Sequence, residues 1–239
     1  MKVIDDLRRD GIALLPTALA PSRIKMVAAH LRASPCYDGH VKVYGDGVPR
    51  PFAEASRMFP VWCHDPAAVL SAPFIWDLIL ALMPTAAVYL EAPPRLYSVN
   101  AFWSRPDDGP PRQHLQTWHR DRDDERFLAM FVYGSDVLHE DDGPHLYRRG
   151  TQGGRDVNEP VDVEVMGTAG TVFLADTSGM HVGLQPMRGQ RLLLWARWGV
   201  SERPLAYDID ATTPAPRTVL GDGYPSDPVA RDLIKLVVA

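Results

Sequence analysis

The stretch "QRLLLWARW", residues 190–198, constrains the fold more than any other. Successive side chains on a strand point to opposite faces, so Arg191, Leu193, Trp195 and Arg197 share one side and Leu192, Leu194, Ala196 and Trp198 the other. The second face is wholly apolar and has to be covered, which suits a sheet packed beneath helices. The first sets two arginines around a leucine and a tryptophan. A solvent face explains the arginines but leaves Leu193 and Trp195 unexplained. A polar cavity inside the fold accounts for all four.

Other runs share this texture from about residue 86 onward: "AAVYLEA", "RLYSVNAFW", "RFLAMFVYG", "VDVEVMG" and "TVFLAD", separated by "SRPDDGPPR", "EDDGPH" and "GTQGGRDVNEP". Short strands at close spacing with Gly, Pro and Asp punctuation predict a sandwich, jelly roll or barrel in preference to a parallel sheet. Upstream, Ile24, Val27, Ala28 and Leu31 mark one face of a helix that opens at Pro21, and "APFIWDLILALM" predicts a second helix starting near Pro73. Residues 36–60 read as loop with one short strand. The stretch "SDPVARDLIKLVV" predicts a capped C-terminal helix with Val229, Leu233 and Leu236 on one side. The fold class is therefore mainly β with flanking α-helices. With 239 residues, 46% of them hydrophobic, the chain suits one core and is short for two. The organisation expected is one domain: a helical part at about 1–85, a β core at about 86–200 and a helical tail at about 201–239.

A formal charge of −5 and the lack of any basic block argue against nucleic acid as a partner. No apolar run approaches the ~20 residues of a membrane span. "MKVIDDLRRDGIALLP" carries charges where a signal peptide needs its apolar stretch. A soluble, cytoplasmic protein acting on a small molecule is expected. Cys36 and Cys63 lack zinc-ligand spacing and read as reduced thiols.

The chemistry begins in "QTWHRDRDDERF", residues 116–127, where His119 and Asp121 stand two apart. On a strand, that spacing aims an imidazole and a carboxylate at one point. Taken alone the pair is more simply a polar strand end. In "GTVFLADTSGMHVGLQPMRGQRLLLWARW" a strand and turn lead to His181, and Arg191 opens the next strand ten positions later. Two histidines and one carboxylate make the facial triad of non-haem iron(II) oxygenases. An arginine's planar fork grips a carboxylate with two prongs.

Residues 86–200, through "LYSVNAFWSRP", "QTWHRDRDDERFLAMFVYGSDVLHEDDGPHLYRRGTQ" and the His181–Arg191 segment, resemble the phytanoyl-CoA dioxygenase family of iron(II)- and 2-oxoglutarate-dependent oxygenases. The resemblance implies a double-stranded β-helix with His119, Asp121 and His181 on Fe(II) and Arg191 on the distal carboxylate of 2-oxoglutarate. It also implies O₂ as oxidant, release of succinate and CO₂, hydroxylation of a small molecule, and ascorbate as a reductant that maintains activity. Asn100 and Gln116 are the polar candidates for the other end of the co-substrate. The alternatives are a cupin-like isomerase, or a binding protein with a metal site but no 2-oxoglutarate turnover. Where the family often carries Gly-Ser-His, this chain has Thr151 and Gln152 in "RRGTQ". Because Asp121 is retained, the coordination position that related halogenases open for halide stays closed.

The remaining polar residues read first as ordinary structure. His30, His40, His64, His114 and His139 are expected at surfaces or in hydrogen bonds, while His145, after "DGP", is a lesser candidate for the pocket. Asp123, Asp124 and Glu125 read as a solvated turn and Arg188 as exposed. Arg148, Arg149 and Arg197 could meet an anionic substrate or simply face water. The loops at 37–60 and "SRPDDGPPRQ" are long enough to form a lid.

Overall fold

A computed structural model describes residues 2–15, 19–39, 47–109 and 116–201. The expected C-terminal helix, His40 and His114 lie outside the described residues, as do parts of both candidate lid loops.

The strand at Phe127–Tyr133 explains the layering. All seven of its residues are apolar and buried, which a strand needs only when both of its faces are covered. Leu128, Met130 and Val132 point into one core, and Ala129, Phe131 and Tyr133 into a second. The first core lies between a large sheet and the helices; the second lies between that sheet and a small one.

In chain order the elements are α1 (Lys2–Asp10), β1 (Ile12–Leu14), α2 (Pro21–Ala33), β2 (Tyr37–Asp38), α3 (Phe52–Met58), β3 (Val61–His64), α4 (Pro66–Leu70) and α5 (Ile75–Leu90). There follow β4 (Arg95–Ser104), β5 (Phe127–Tyr133), β6 (His145–Arg148), β7 (Asp162–Val165), β8 (Val172–Ala175), β9 (His181–Gly183) and β10 (Arg191–Gly199). The seven-stranded sheet runs β1-β8-β5-β10-β4-β3-β2 and the three-stranded sheet β7-β6-β9. Every pairing is antiparallel. The core is a jelly roll, as the strand spacing predicted.

Strand β10 lies at the centre of the large sheet, and Leu192, Leu194, Ala196 and Trp198 are all 1% exposed or less against the helices. Its other face lines a cavity, so the two-faced reading of this strand holds.

Three local expectations are corrected. The run "AAVYLEA" is no strand: α5 passes through Pro84 and ends at Leu90, with Ile75, Ile79, Met83, Ala86 and Leu90 buried along one stripe. The segment 36–60 contains α3, started by Pro51, besides its short strand. The division near residue 86 is not a structural one, because β1, β2 and β3 close the two edges of the large sheet.

The strand β3 ends on His64, which is fully buried. An indole N–H can only donate, so the 3.1 Å contact from Trp103 Nε1 makes His64 Nε2 an acceptor and assigns the ring proton to Nδ1, 3.0 Å from the Pro35 carbonyl. Burial is the main cause that pushes the His64 pKa down to about 4. The unfolded chain then takes up a proton near pH 6.5 that the folded chain refuses. Stability that is present above pH 6.5 is lost as the pH falls toward 4, by about 3 kcal/mol for this group. Urea titrations of metal-free protein across that window should show one proton fewer taken up on unfolding in His64→Gln. An identical pH slope in the variant would contradict this account.

Candidate metal centre and its pocket

The ligand-type atoms of His119, Asp121 and His181 all lie within 4.8 Å of one another. The segment holding His119 and Asp121 is an extended stretch of irregular chain rather than a strand. It is clamped to the His181 segment by paired backbone bonds, His119 N to His181 O and back, each 3.0 Å, and by Asp121 N to Thr177 O at 2.8 Å. These bonds bring the two imidazole rings to 4.2 Å between centroids.

Both rings are oriented by their own backbone. His119 Nδ1 stands 2.7 Å from Thr117 O, and His181 Nδ1 stands 2.9 Å from Gly179 O. A carbonyl only accepts, so each Nδ1 carries the proton and each Nε2 is left with its lone pair. The two Nε2 atoms lie 3.7 Å from Asp121 Oδ1 and Oδ2 respectively. Burial pushes the His181 pKa down to about 4, the neutral form a metal requires.

Asp121 is held by Arg197. The guanidinium Nη2 lies 2.8 Å from Asp121 Oδ2, and Nη1 lies 2.5 Å from Asp123 Oδ2. Tyr97, the residue bulged out of the β4–β10 ladder, donates its hydroxyl to the same Asp123 oxygen at 2.7 Å. Burial works to raise the Asp121 pKa, but Arg197, then His181, the Thr177 hydroxyl and His119, outweigh it and hold the carboxyl below its usual range. Asp121 Oδ2 accepts no hydrogen bond in spite of its ion pair. A carboxylate oxygen of Asp121 and the two imidazoles form a nitrogen- and oxygen-donor set, which fits a divalent transition metal such as iron.

Arg197→Met should leave the half-buried Asp121 and the buried Asp123 without their cation. Loss of one partner from a buried pair costs about 3–5 kcal/mol. The metal-free variant should therefore melt well below wild type, and a divalent metal should restore more of its stability than it adds to wild type. Equal stabilisation of the two proteins by metal would contradict this role.

The cavity has a volume of about 90 Å³, smaller than the roughly 300–1,000 Å³ of drug-sized ligand sites. Arg191, Leu193, Trp195 and Arg197 all line it, together with Phe102, Phe131, His145 and Gln116. The rings of Phe102 and Trp195 stack at 4.5 Å between centroids. Arg191 is 8% exposed and has no carboxylate within ion-pair distance among the described residues. Its Nη1 donates to Gly143 O and, at 2.9 Å, to Leu184 O, while its Nε is buried without a partner. Gly143 adopts φ 75°, and a side chain there would strike Leu184 O at 2.6 Å, so glycine lets the two carbonyls meet on one guanidinium.

The six residues singled out in the sequence are thus placed as follows. His119, Asp121 and His181 converge, and Arg191 and Gln116 share their cavity. Asn100 does not line it and donates to Ser98 Oγ at 2.8 Å.

Of the charge run expected to be solvated, Asp123 and Asp124 are instead buried, at 7% and 6% exposed, while Glu125 is exposed. Asp124 ties down the end of β10 by accepting from Val200 N and Ser201 N, each at 2.8 Å. Arg197 is half-buried at the metal end of the cavity, where it pairs with Asp121 and Asp123. Arg188 is exposed and paired with Asp142 at 2.7 Å, as expected. In the "RRGTQ" turn, the Thr151 hydroxyl accepts from Met180 N at 2.8 Å and so braces the residue before His181. Gln152 donates to Arg8 O at 2.9 Å and docks the end of α1. Arg120 reaches from between His119 and Asp121 to Thr151 O and Ser178 O, binding the same turn to the metal segment.

No family model matches the chain, and no curated protein does. Solved structures do. HygX from Streptomyces hygroscopicus, with nickel and 2-oxoglutarate bound, superposes with a TM-score of 0.60 at 14% identity over 84% of this chain and 87% of that one. The non-haem α-ketoglutarate-dependent epimerase SnoN from nogalamycin biosynthesis gives 0.62 at 16% identity over 93% and 96%. The carbocyclase SnoK from the same biosynthesis gives 0.60 at 14% over 82% and 83%. The shared feature at these identities is the fold: a jelly roll used by 2-oxoglutarate-dependent non-haem enzymes. Among the described residues no helix is long and apolar enough to cross a membrane.

Proposed function

We propose that the chain is an iron(II)- and 2-oxoglutarate-dependent oxygenase that hydroxylates a small molecule, with His119, Asp121 and His181 as the metal ligands and Arg191 as the co-substrate's anchor. The observation that carries this reading is the pairing, in one cavity, of a three-ligand cluster with a buried arginine that lacks an anion. A buried cation is costly unless paired, and a dicarboxylate supplies the missing charge. The likeness to structures with nickel or iron and 2-oxoglutarate bound supports the same choice, and HygX with hygromycin B bound is in keeping with a small-molecule substrate. Within the class, the resemblance of the His119-x-Asp121, His181 and Arg191 segments to the phytanoyl-CoA dioxygenase family supports a reading as one of its members.

Iron(II) in this site would supply O₂ activation coupled to decarboxylation of 2-oxoglutarate to succinate and CO₂. The protein's residues position and exclude. Thr117 and Gly179 carbonyls hold the imidazoles in the tautomer that ligates. Arg197 holds Asp121 ionised, and Arg191 orients the far carboxylate. Phe102, Trp195, Phe131 and Leu193 form an apolar wall that keeps water from the reacting centre.

The test is succinate formation from 2-oxoglutarate by protein supplied with iron(II), ascorbate and air, without a primary substrate. Slow succinate release that disappears in His181→Ala supports the oxygenase. A metal-loaded protein that makes none favours the isomerase or binding alternative. The retained Asp121 carboxylate also predicts oxidation without halogen transfer, and chlorinated product from unmodified protein in chloride buffer would contradict it.

A further inference from the structure

Arg191 offers its Nε to a carboxylate, and a carboxylate's two oxygens accept more than one donor. A second nitrogen without a partner belongs to a residue of the same cavity. His145 opens β6, lines the cavity and is 3% exposed, and its Nε2 is buried with no hydrogen-bond partner. A core position filled only for packing has no use for such a nitrogen, since burying it unpaired is unfavourable.

The surroundings hold this ring in place. His145 N donates to the Tyr133 hydroxyl at 2.9 Å, which in turn donates to Val165 O at 2.8 Å. Phe131 and Phe173 flank the imidazole at 4.9 and 5.3 Å between centroids. On one side its centroid is 5.5 Å from that of His181. On the other side, the carbonyls that anchor Arg191 belong to the residues next to this pair: Gly143 lies two positions before His145, and Leu184 follows Gly183, the residue paired with His145 across β6 and β9. The imidazole therefore neighbours both the metal-cluster residue His181 and the chain segments whose carbonyls hold Arg191.

We infer that His145 is a second donor to the far carboxylate of 2-oxoglutarate, acting through Nε2 beside Arg191. The inference rests on the proposed 2-oxoglutarate reading and adds a positioning residue to it. With both donors engaged, the carboxylate is fixed in rotation as well as in place, and the 2-oxo acid head is presented to the metal in one orientation.

The experiment compares two ligands by calorimetry on nickel-loaded protein, in which no turnover occurs. 2-Oxobutanoate has the same 2-oxo acid head as 2-oxoglutarate but lacks the far carboxylate. His145→Leu should weaken 2-oxoglutarate by about tenfold or more, the scale of a hydrogen bond to a charged group. Binding of 2-oxobutanoate and of nickel should be unchanged, which also reports an intact site. His145→Gln, which keeps an N–H, should recover much of the loss. Unchanged 2-oxoglutarate affinity in His145→Leu, or an equal loss for both ligands, overturns the inference alone. Failure of the wild-type protein to bind 2-oxoglutarate overturns the reading beneath it as well.

Discussion

Asp121→Ala should bind divalent metal more than ~100-fold more weakly than wild type, exceeding the 10–100-fold cost of losing a residue that merely supports a ligand. Two effects act together. The variant loses the sole carboxylate of the cluster, and it frees the Arg197 guanidinium, 2.8 Å from Asp121 in the intact protein, to repel the incoming cation. Asp121→Asn keeps an acceptor oxygen without its charge and should fall between the two. Calorimetric titration with nickel measures all three proteins. An Asp121→Ala protein that binds nickel as tightly as wild type would remove Asp121 from the cluster.

Arg191→Ala should weaken 2-oxoglutarate by a comparable factor without touching the metal. Truncating one partner of a buried charge pair costs about 2–5 kcal/mol, or roughly 30- to several-thousand-fold in affinity. Arg191→Lys keeps the charge but loses the planar fork and should recover only part. Melting curves provide an independent check: Arg191 is a buried cation that donates to the Gly143 and Leu184 carbonyls but has no anion, so 2-oxoglutarate should raise the melting temperature of nickel-loaded wild type and barely move that of Arg191→Ala. Arg188→Ala should alter neither quantity, because that side chain is exposed and paired with Asp142.

The parts of this site that were legible in the sequence are those that strand periodicity and ligand chemistry determine. The alternation from Arg191 to Trp198 separates cavity from core, and residue type together with the family resemblance picks out the three residues that converge, although His119 and Asp121 do not lie on the strand their spacing suggested. The extent of α5 was misread, although Ile75, Ile79, Met83, Ala86 and Leu90 keep one helical stripe through Pro84. A proline and a short apolar run obscured it, since such runs suit strand and helix alike. Other features depend on contacts far apart in the chain. Asp123 and Asp124 read as a solvated charge run until Arg197, Tyr97 and the end of β10 fold over them. The bond of Gln152 to α1 spans most of the chain. His145 looks like any turn histidine until β6 is seen to pair with the three-residue β9, which is too short to announce itself by pattern.

The central claim is that metal and 2-oxoglutarate occupy one cavity, in contact, between the His119–Asp121–His181 cluster and Arg191. Anaerobic titration of iron(II)-loaded protein with 2-oxoglutarate, following the visible metal-to-ligand charge-transfer band, tests it most directly. The account predicts a band that saturates at one equivalent, is absent in His181→Ala, and needs far more 2-oxoglutarate in Arg191→Ala. Iron(II) and 2-oxoglutarate that both bind, by calorimetry, without producing the band would place them in separate sites and contradict it.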